Sequence, residues 1–277
     1  MAACLSASAA PSYCVPADGV YCLGCAWRDG NCGDGECKGL HAEPQTRSRQ
    51  RSWPMPQVPK LIITAGPERS GSTWLFNAVR LLYEDAQEPL DAYWITHLTD
   101  AALDARGCER EGTPAQQRPH VLVKTHGWSD DWARRRASHV LLTHRDLRGV
   151  VASYRRMGWA PDLKPAYIAD HLRWHAIADR DVALEDIMAA PQRELDALAA
   201  TLGLAEKVDT AAVLARLQAL RAPARGPPDP VNKLWPRHLS AATLQRQAGG
   251  GPVAQAPASG ADLKARFPEY FSLYGYD

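Results

Sequence analysis

Short apolar runs alternate with amphipathic helical patterns through the middle of the 277-residue chain. The runs that begin at Leu61, Val121 and Val140 are rich in β-branched residues and have the length of buried strands. Helical spacing of apolar residues follows the first run, from Leu75 to Leu82, and also the third. This alternation predicts an α/β fold with a central parallel sheet flanked by helices.

Helix-capping residues, prolines and glycines predict the elements in the second half of the chain. Proline-rich and glycine-rich stretches at 221–230 and 248–260 predict flexible loops. The predicted elements before these loops are a helix over 167–179, a short strand over 181–184, a helix from Pro191 to near Gly203, and a helix from Asp209 or Thr210 to Leu220.

The first strand enters a turn with the spacing of a phosphate-binding loop. Gly66 and Gly71 match Gly-x-x-x-x-Gly-Lys-[Ser/Thr], but Ser72 occupies the position of the lysine. Backbone N–H groups in such a turn, together with the first turn of the following helix, bind anions without that lysine. The pattern therefore predicts a phosphate site and argues against a nucleoside-triphosphate-dependent kinase.

Two further segments place basic and proton-accepting side chains where strands end. Lys124 and His126 lie two residues apart at the end of the second apolar run, so both side chains are expected on one face. Arg145 follows the third run, and Ser153 lies two turns into the next helix. Open α/β sheets bind ligands at the carboxyl ends of their strands. These residues are therefore expected to line one site.

Three segments together resemble the sulfotransferases that use 3′-phosphoadenosine-5′-phosphosulfate (PAPS). They are Arg69-Ser-Gly-Ser-Thr-Trp74, Lys124-Thr-His126 and Arg145-Asp-Leu-Arg-Gly-Val-Val-Ala-Ser153-Tyr154. The resemblance runs from about residue 60 to residue 203 and implies a P-loop-type, three-layer fold related to nucleotide kinases. It also implies transfer of a sulfuryl group from PAPS to a hydroxyl or amine. The acceptor, a small molecule or a glycan, is not identified by the sequence.

The resemblance also implies how PAPS is bound. Arg145 and Ser153 would hold the 3′-phosphate. Arg69 stands where the family usually has lysine; it keeps the charge that binds an anion but does not readily donate a proton. The 5′-phosphosulfate would be held by Arg69, Ser70, Gly71, Ser72 and Thr73, with Trp74 stacked on the adenine.

The second segment resembles the catalytic part of the family's site. His126 would be the general base, because a neutral imidazole, whose ordinary pKa is near ~6.5, can take the proton of the acceptor. Lys124 would stabilise negative charge on the transferring group, and Arg69 would assist it. No metal is required by this scheme.

The chain departs from the family pattern in its second half. Leu184 stands where a tyrosine commonly contacts the nucleotide, and the family's Arg-Lys-Gly loop is not visible. The segment 233–240 is the basic candidate for that role, with Arg237 as its proposed phosphate contact. A plain surface loop is the alternative.

Two other functions stay open. A nucleotide kinase-like phosphotransferase shares the fold class, although the missing lysine argues against it. A non-catalytic nucleotide-binding or interaction protein of the same fold is the second. For single residues, Trp74 can be a core aromatic, and Asp146 with Arg148 can be an ordinary charged helix start.

The first 57 residues differ in composition from the rest. They hold six of the seven cysteines, many glycines and a basic stretch at 46–52 that resembles a linker. We expect a poorly ordered extension over 1–57 and the sulfotransferase-like domain over 58–277. Zinc binding, disulfides and a redox-labile extension stay open for the cysteine set Cys14, Cys22, Cys25, Cys32 and Cys37.

Overall composition excludes some partners. The formal net charge is +1, which gives no global electrostatic attraction to nucleic acid or to acidic membranes. The sequence has no apolar run near the ~20 residues that a membrane-spanning helix needs. We expect a cytoplasmic protein, with organelle targeting by the N-terminal residues left open. The oligomeric state is not indicated.

Overall fold

The computed structural model describes residues 60–96, 98–99, 101–102, 119–128, 137–236, 238 and 260–276. These ranges contain a parallel five-stranded sheet of order β2-β3-β1-β4-β5. The strands are β1 (Leu61–Ala65), β2 (Leu90–Trp94), β3 (His120–Lys124), β4 (His139–His144) and β5 (Arg180–Ala183). The helices are α1 (Ser72–Asp85), α2 (Leu147–Met157), α3 (Pro165–His175), α4 (Leu184–Ala189), α5 (Pro191–Leu202), α6 (Thr210–Ala219), α7 (Gly260–Arg266) and α8 (Pro268–Tyr274).

Strand β1 lies at the centre of the sheet and is buried along its whole length. Its residue Ile63 pairs with Val123 of β3 on one side and with Val140 of β4 on the other, in parallel register. A strand buried on both faces requires a continuous apolar run rather than an alternating one. The register brings the carboxyl ends of β1, β3 and β4 to one edge of the sheet.

Helices cover both faces of the sheet. On one face, Ile62 and Leu122 pack with Phe76 of α1 and with apolar residues of α5 and α6. On the other face, Ile63 and neighbouring strand residues pack against Trp174 of α3. The predicted α/β class, a parallel sheet flanked by helices, is confirmed.

Two predicted boundaries were wrong by a few residues. Helix α3 ends at His175 rather than at 179, because Asp179 already pairs with β4: its N–H donates to the Val140 carbonyl and its carboxylate accepts from the Val140 N–H. Strand β5 ends at Ala183 rather than at 184, because Leu184 is the first residue of α4 and is buried.

Other boundaries agree with the capping residues. Helix α5 begins at Pro191, and Gly203 ends it in the left-handed conformation, with φ of 72°. The Asp209 carboxylate caps α6 by accepting from two backbone N–H groups. These local predictions are confirmed.

Several predictions fall on residues outside the described ranges. These are the extension 1–57 with its cysteines, the domain boundary at 58, and residues 248–259 of the second loop; they stay predictions. Among the described helices, none is long and apolar enough to cross a membrane.

A buried polar network ties β4, β5, α3 and α8 together. The Asp181 carboxylate contacts Nδ1 of His144 and Nδ1 of His175, both at 2.8 Å, and accepts a hydrogen bond of 2.5 Å from the Tyr274 hydroxyl. Burial opposes ionisation of Asp181, but these three hydrogen-bond donors together lower its pKa to about 2. His171 contacts the same Tyr274 hydroxyl at 2.7 Å. His144 and His171 therefore have a structural role in this network.

We predict that Asp181→Asn destabilises the protein by about 2 kcal/mol at pH 7. The folded pKa of Asp181 lies below its ordinary value, so the stability it contributes is present above pH ~4 and is lost as the pH falls toward ~2. Urea unfolding at several pH values measures this. Glu206→Gln, at an exposed carboxylate, is the matched control and should change little. An identical pH dependence in Asp181→Asn and the unmodified protein would contradict the prediction.

Candidate functional site

The turn after β1 adopts a backbone that requires glycine at two positions. Gly66 has φ of +144°, and a Cβ there would lie 2.4 Å from the Thr143 carbonyl oxygen. Gly71 has φ of +100° and is the N-cap of α1. The buried Ser70 hydroxyl donates to the Pro67 carbonyl at 2.6 Å and lies 2.9 Å from the Thr143 hydroxyl. The Ser70 side chain thus stabilises the turn against β4.

The amino terminus of α1 presents unsatisfied donors to a cleft. No side chain caps the helix, and its first turn carries no acidic residue. The first N–H groups of a helix lack partners within the helix, and the helix dipole adds partial positive charge there. Gly71, Ser72 and Thr73 line the cleft at this point. An anion is the ligand that this end of α1 favours.

Two arginines donate to one serine hydroxyl beside this turn, and a third arginine lies next to one of them. Arg69 Nε and Arg156 Nη2 both donate to Ser153 Oγ, each at 2.9 Å, and Arg145 Nη1 lies 3.4 Å from the Arg69 carbonyl oxygen. Burial, followed by the charges of Arg156 and Arg145, lowers the pKa of Arg69 to about 10. The structure thus brings together the predicted Arg69, Arg145 and Ser153. Arg156 was missed, although its spacing of three residues from Ser153 on a helix indicates a shared face.

Two features hold Arg145 in place. The Tyr270 hydroxyl of α8 accepts from the Arg145 N–H at 3.2 Å and donates to its carbonyl at 2.8 Å. A Cβ at Gly149 would lie 2.6 Å from Arg145 Nε, so the guanidinium rests against α2 where the helix has no side chain. Burial lowers the pKa of Arg145 from its ordinary value.

Lys124 is buried at the end of β3. Its ammonium donates to Thr73 Oγ1 at 3.1 Å and lies 5.0 Å from the centre of the Trp94 ring. Burial lowers its pKa to about 8. Lys124 therefore carries positive charge at neutral pH, and this charge lies at the N-terminus of α1, beside the turn that follows β1.

His126 is oriented by the first glycine of the turn. Its Nδ1 lies 2.8 Å from the Gly66 carbonyl oxygen, which can only accept, so Nδ1 carries the proton and Nε2 keeps a lone pair. Burial, and then the Lys124 charge, lowers the pKa of His126 to about 3. Sequence spacing contains no information on this enclosure, so it gave no sign of the lowered pKa. The ring is neutral, as a general base must be.

Two clefts meet at the turn. The first is lined by the arginines, by apolar residues of α4 and α6, and by Trp74. Trp74 also packs against the core that α1 forms with the sheet, which agrees with its interpretation as a core aromatic. The second cleft is lined by Lys124, His126 and three tryptophans. Residues that line both clefts are Arg69, Ser72, Thr73 and His238.

His238 was not singled out from the sequence, although it lies in the segment 233–240 that was the basic candidate for the Arg-Lys-Gly loop. Asn77 Nδ2 donates to the Thr73 carbonyl and to the Asn232 carbonyl, each at 2.8 Å, and so ties this segment to α1. The Trp235 ring packs edge-on against Trp94, with centres 6.1 Å apart. Arg237, the predicted phosphate contact of this segment, lies outside the described residues. The sequence signal for His238 was only its position next to that arginine.

Within the described ranges, no cluster of three or more His, Cys, Asp or Glu side chains has the arrangement of a metal site. The positive charges around the turn come from Arg69, Arg145, Arg156 and Lys124. Opposite charge nearby comes from Glu68, whose carboxylate accepts from the Tyr154 hydroxyl at 3.0 Å, and from Glu185, 3.8 Å from Arg145 Nε.

Comparison with known proteins gives little. No protein-family model matches the chain, and no curated protein matches it significantly. A solved structure of retinol dehydratase with retinol and PAP is similar at a TM-score of 0.38 and 14% identity. A second structure of retinol dehydratase, with androsterone and the inactive cofactor PAP, is similar at a TM-score of 0.37 and 17% identity. Each match covers 58% of this chain and 64% of the dehydratase chain. Similarity at this level does not bear on what this chain binds or does.

We predict that Gly66→Ala destabilises the protein by about 2 kcal/mol more than Gly203→Ala does. Both substitutions place a side chain at positive φ, but only the Cβ at Gly66 meets backbone, whereas at Gly203 no atom lies within 4 Å. Urea unfolding of the two variants measures the difference. Equal losses of stability would show that the turn relaxes freely around Gly66.

Proposed function

We propose that this chain is a PAPS-dependent sulfotransferase that moves a sulfuryl group to a hydroxyl or amine of an acceptor, with His126 as the general base. The observation that carries the proposal is the arrangement of the joined clefts. One cleft is lined by the turn with the phosphate-loop spacing and by an arginine–serine cluster that Arg69 joins to it, and the other holds a neutral histidine whose Nε2 is unprotonated. A donor with phosphate at two positions and a transferable group between the clefts fits this arrangement.

Each part of the donor has a matching region. The 5′-phosphosulfate would lie on the turn and the N-terminus of α1, within reach of Ser72 and Thr73. The 3′-phosphate would bind the cluster of Arg145 and Ser153, where charge-assisted hydrogen bonds to a dianion offset the repulsion among the arginines. The adenine would occupy the apolar part of the first cleft beside Trp74.

The chemistry follows from the second cleft. The acceptor atom attacks sulfur and gives its proton to His126 Nε2. The bond between sulfur and the bridging oxygen breaks, and its electron pair leaves with adenosine 3′,5′-bisphosphate. Lys124 and Arg69 stabilise the negative charge on the bridging and equatorial oxygens. The charge of bound PAPS also raises the basicity of His126, because it offsets the Lys124 ammonium.

The rival functions differ in the nucleotide that the protein would bind and in whether a group is transferred. A kinase-like phosphotransferase would bind ATP with magnesium in preference to PAPS. A non-catalytic nucleotide-binding protein would bind adenosine 3′,5′-bisphosphate and transfer nothing. Thermal shifts with these ligands identify the nucleotide that is bound, because a ligand that binds only the folded state raises the melting temperature. Transfer from labelled PAPS to an acceptor then separates a sulfotransferase from a non-catalytic binder.

We predict that adenosine 3′,5′-bisphosphate binds about 10- to 100-fold more tightly than AMP. Arg145→Ala should remove this difference and leave AMP binding nearly unchanged. The fold should survive, because the contacts of Tyr270 are to the Arg145 backbone. Gly149→Ala keeps the charge but displaces the guanidinium, so it should remove part of the difference. Calorimetry measures the affinities of the unmodified protein and of the two variants for both ligands.

Arg173→Ala, at an exposed arginine of α3, is the matched control for the loss of one positive charge. It should keep the preference for the bisphosphate. Equal affinity of the unmodified protein for the bisphosphate and for AMP would overturn the assignment of the donor.

We predict that His126→Ala lowers the rate of sulfuryl transfer by ~10²–10⁴ and changes affinity for adenosine 3′,5′-bisphosphate little. A screen of phenols, sterols, amines and sugars with labelled PAPS supplies the acceptor. His139→Ala, at the opposite end of β4 from the site, is the control and should keep the rate. Near-normal turnover of His126→Ala at neutral pH would place the base elsewhere.

A further inference from the structure

His238 lies where the two clefts join. It lines both of them, together with Arg69, Ser72 and Thr73. In the proposed function this junction is where the transferring group passes from donor to acceptor. A polar side chain here is within reach of the reacting atoms rather than of the adenine or of the distant part of an acceptor.

The backbone sets the protonation pattern of the ring. The Trp235 N–H donates to His238 Nδ1 at 3.3 Å, so Nδ1 is the acceptor and the proton of the neutral ring is on Nε2. His126 has the opposite arrangement, because its Nδ1 donates to the Gly66 carbonyl. One ring thus presents a lone pair at Nε2 and the other presents an N–H.

The surroundings of His238 keep it neutral. Burial, followed by the charges of Arg69, Lys124 and Arg156, lowers its pKa to about 3. The same positive charges attract an anion to the junction. A neutral ring among cations can still contribute one hydrogen bond to such an anion.

Contacts with α1 and β2 fix the segment that carries His238. Asn77 bonds the Asn232 carbonyl, and the Asp229 carboxylate accepts from the Asn232 N–H at 2.8 Å. Trp235 packs against Trp94, and the His238 N–H donates to the Trp235 carbonyl at 3.0 Å. The position of His238 is therefore defined by contacts with α1 and β2.

We propose that His238 donates a hydrogen bond from Nε2–H to a non-bridging oxygen of the transferring sulfuryl group. The inference rests on the proposed function and adds a residue to it. During transfer, the bond from the acceptor atom to sulfur forms, the bond from sulfur to the bridging oxygen breaks, and the acceptor proton goes to His126. His238 keeps its own proton, and its hydrogen bond stabilises charge on the sulfuryl oxygens.

Three substitutions separate a hydrogen bond to the sulfuryl group from a structural contact. His238→Asn can keep an acceptor for the Trp235 N–H, but its shorter side chain has no donor at the position of His238 Nε2. His238→Gln places an amide N–H at about that reach. His238→Ala lacks both. The readouts are turnover with an acceptor from the screen, release of labelled sulfate from PAPS in water, and affinity for PAPS and for adenosine 3′,5′-bisphosphate.

We expect His238→Ala and His238→Asn to lower turnover and sulfate release by ~10²-fold, the usual effect of losing one such donor. Affinity for PAPS should fall, while affinity for the bisphosphate, which lacks the sulfuryl group, should change less than ~3-fold. His238→Gln should recover at least ~10-fold of the lost rate. Thermal melting of each variant checks its folding.

The outcomes distinguish this inference from the proposed function. If the unmodified protein binds no bisphosphate and releases no sulfate, both the proposed function and the role of His238 are overturned. If the unmodified protein binds the bisphosphate and releases sulfate, and His238→Ala stays within ~3-fold of that rate, only the proposed role of His238 is overturned. Activity kept by His238→Asn and lost by His238→Gln would make His238 a structural contact of the Trp235 turn, which also overturns the inference.

Discussion

Parallel pairing of β1 with both β3 and β4 is the constraint on which the site depends. Each of the three strands runs in the same direction, so the segments that follow them emerge at one edge of the sheet. The glycine turn follows β1, Lys124 ends β3 with His126 two residues on, and Arg145 follows β4. Residues that are separated by up to eighty positions in sequence therefore meet at this edge. The buried, continuous apolar run of β1 makes this pairing stable.

Electrostatic repulsion is the cost of assembling this site. Arg69 and Arg156 donate to Ser153, Arg145 lies beside Arg69, and the lowered pKa of Arg69 has the neighbouring arginines among its causes. Lys124 is buried nearby. Hydroxyl and carbonyl oxygens, such as Ser153 Oγ, satisfy some of the N–H groups, but they do not neutralise the charge. An anion with several negative charges offsets the repulsion, so ligand binding and stability are coupled.

Histidines serve three different purposes in this chain, and their hydrogen bonds separate them. His144 contacts the buried Asp181 carboxylate and belongs to the network that joins β4 and β5 to α8. His126 donates to the Gly66 carbonyl and keeps a lone pair for a proton. His238 accepts from the Trp235 backbone and keeps an N–H. The partner of Nδ1 decides the chemistry of Nε2 in each ring.

The sequence by itself determined the features whose cause is local. An apolar run specifies β1, glycines permit the turn at 66–71, and Pro191, Gly203 and Asp209 bound the helices that they cap, because these effects act within one or two turns of chain. Only the tertiary structure decided that His238 joins the clefts, that burial lowers the pKa of His126, and that α8 holds the backbone of Arg145. Burial and contacts between distant segments arise when the chain folds, and no local pattern of residues encodes them.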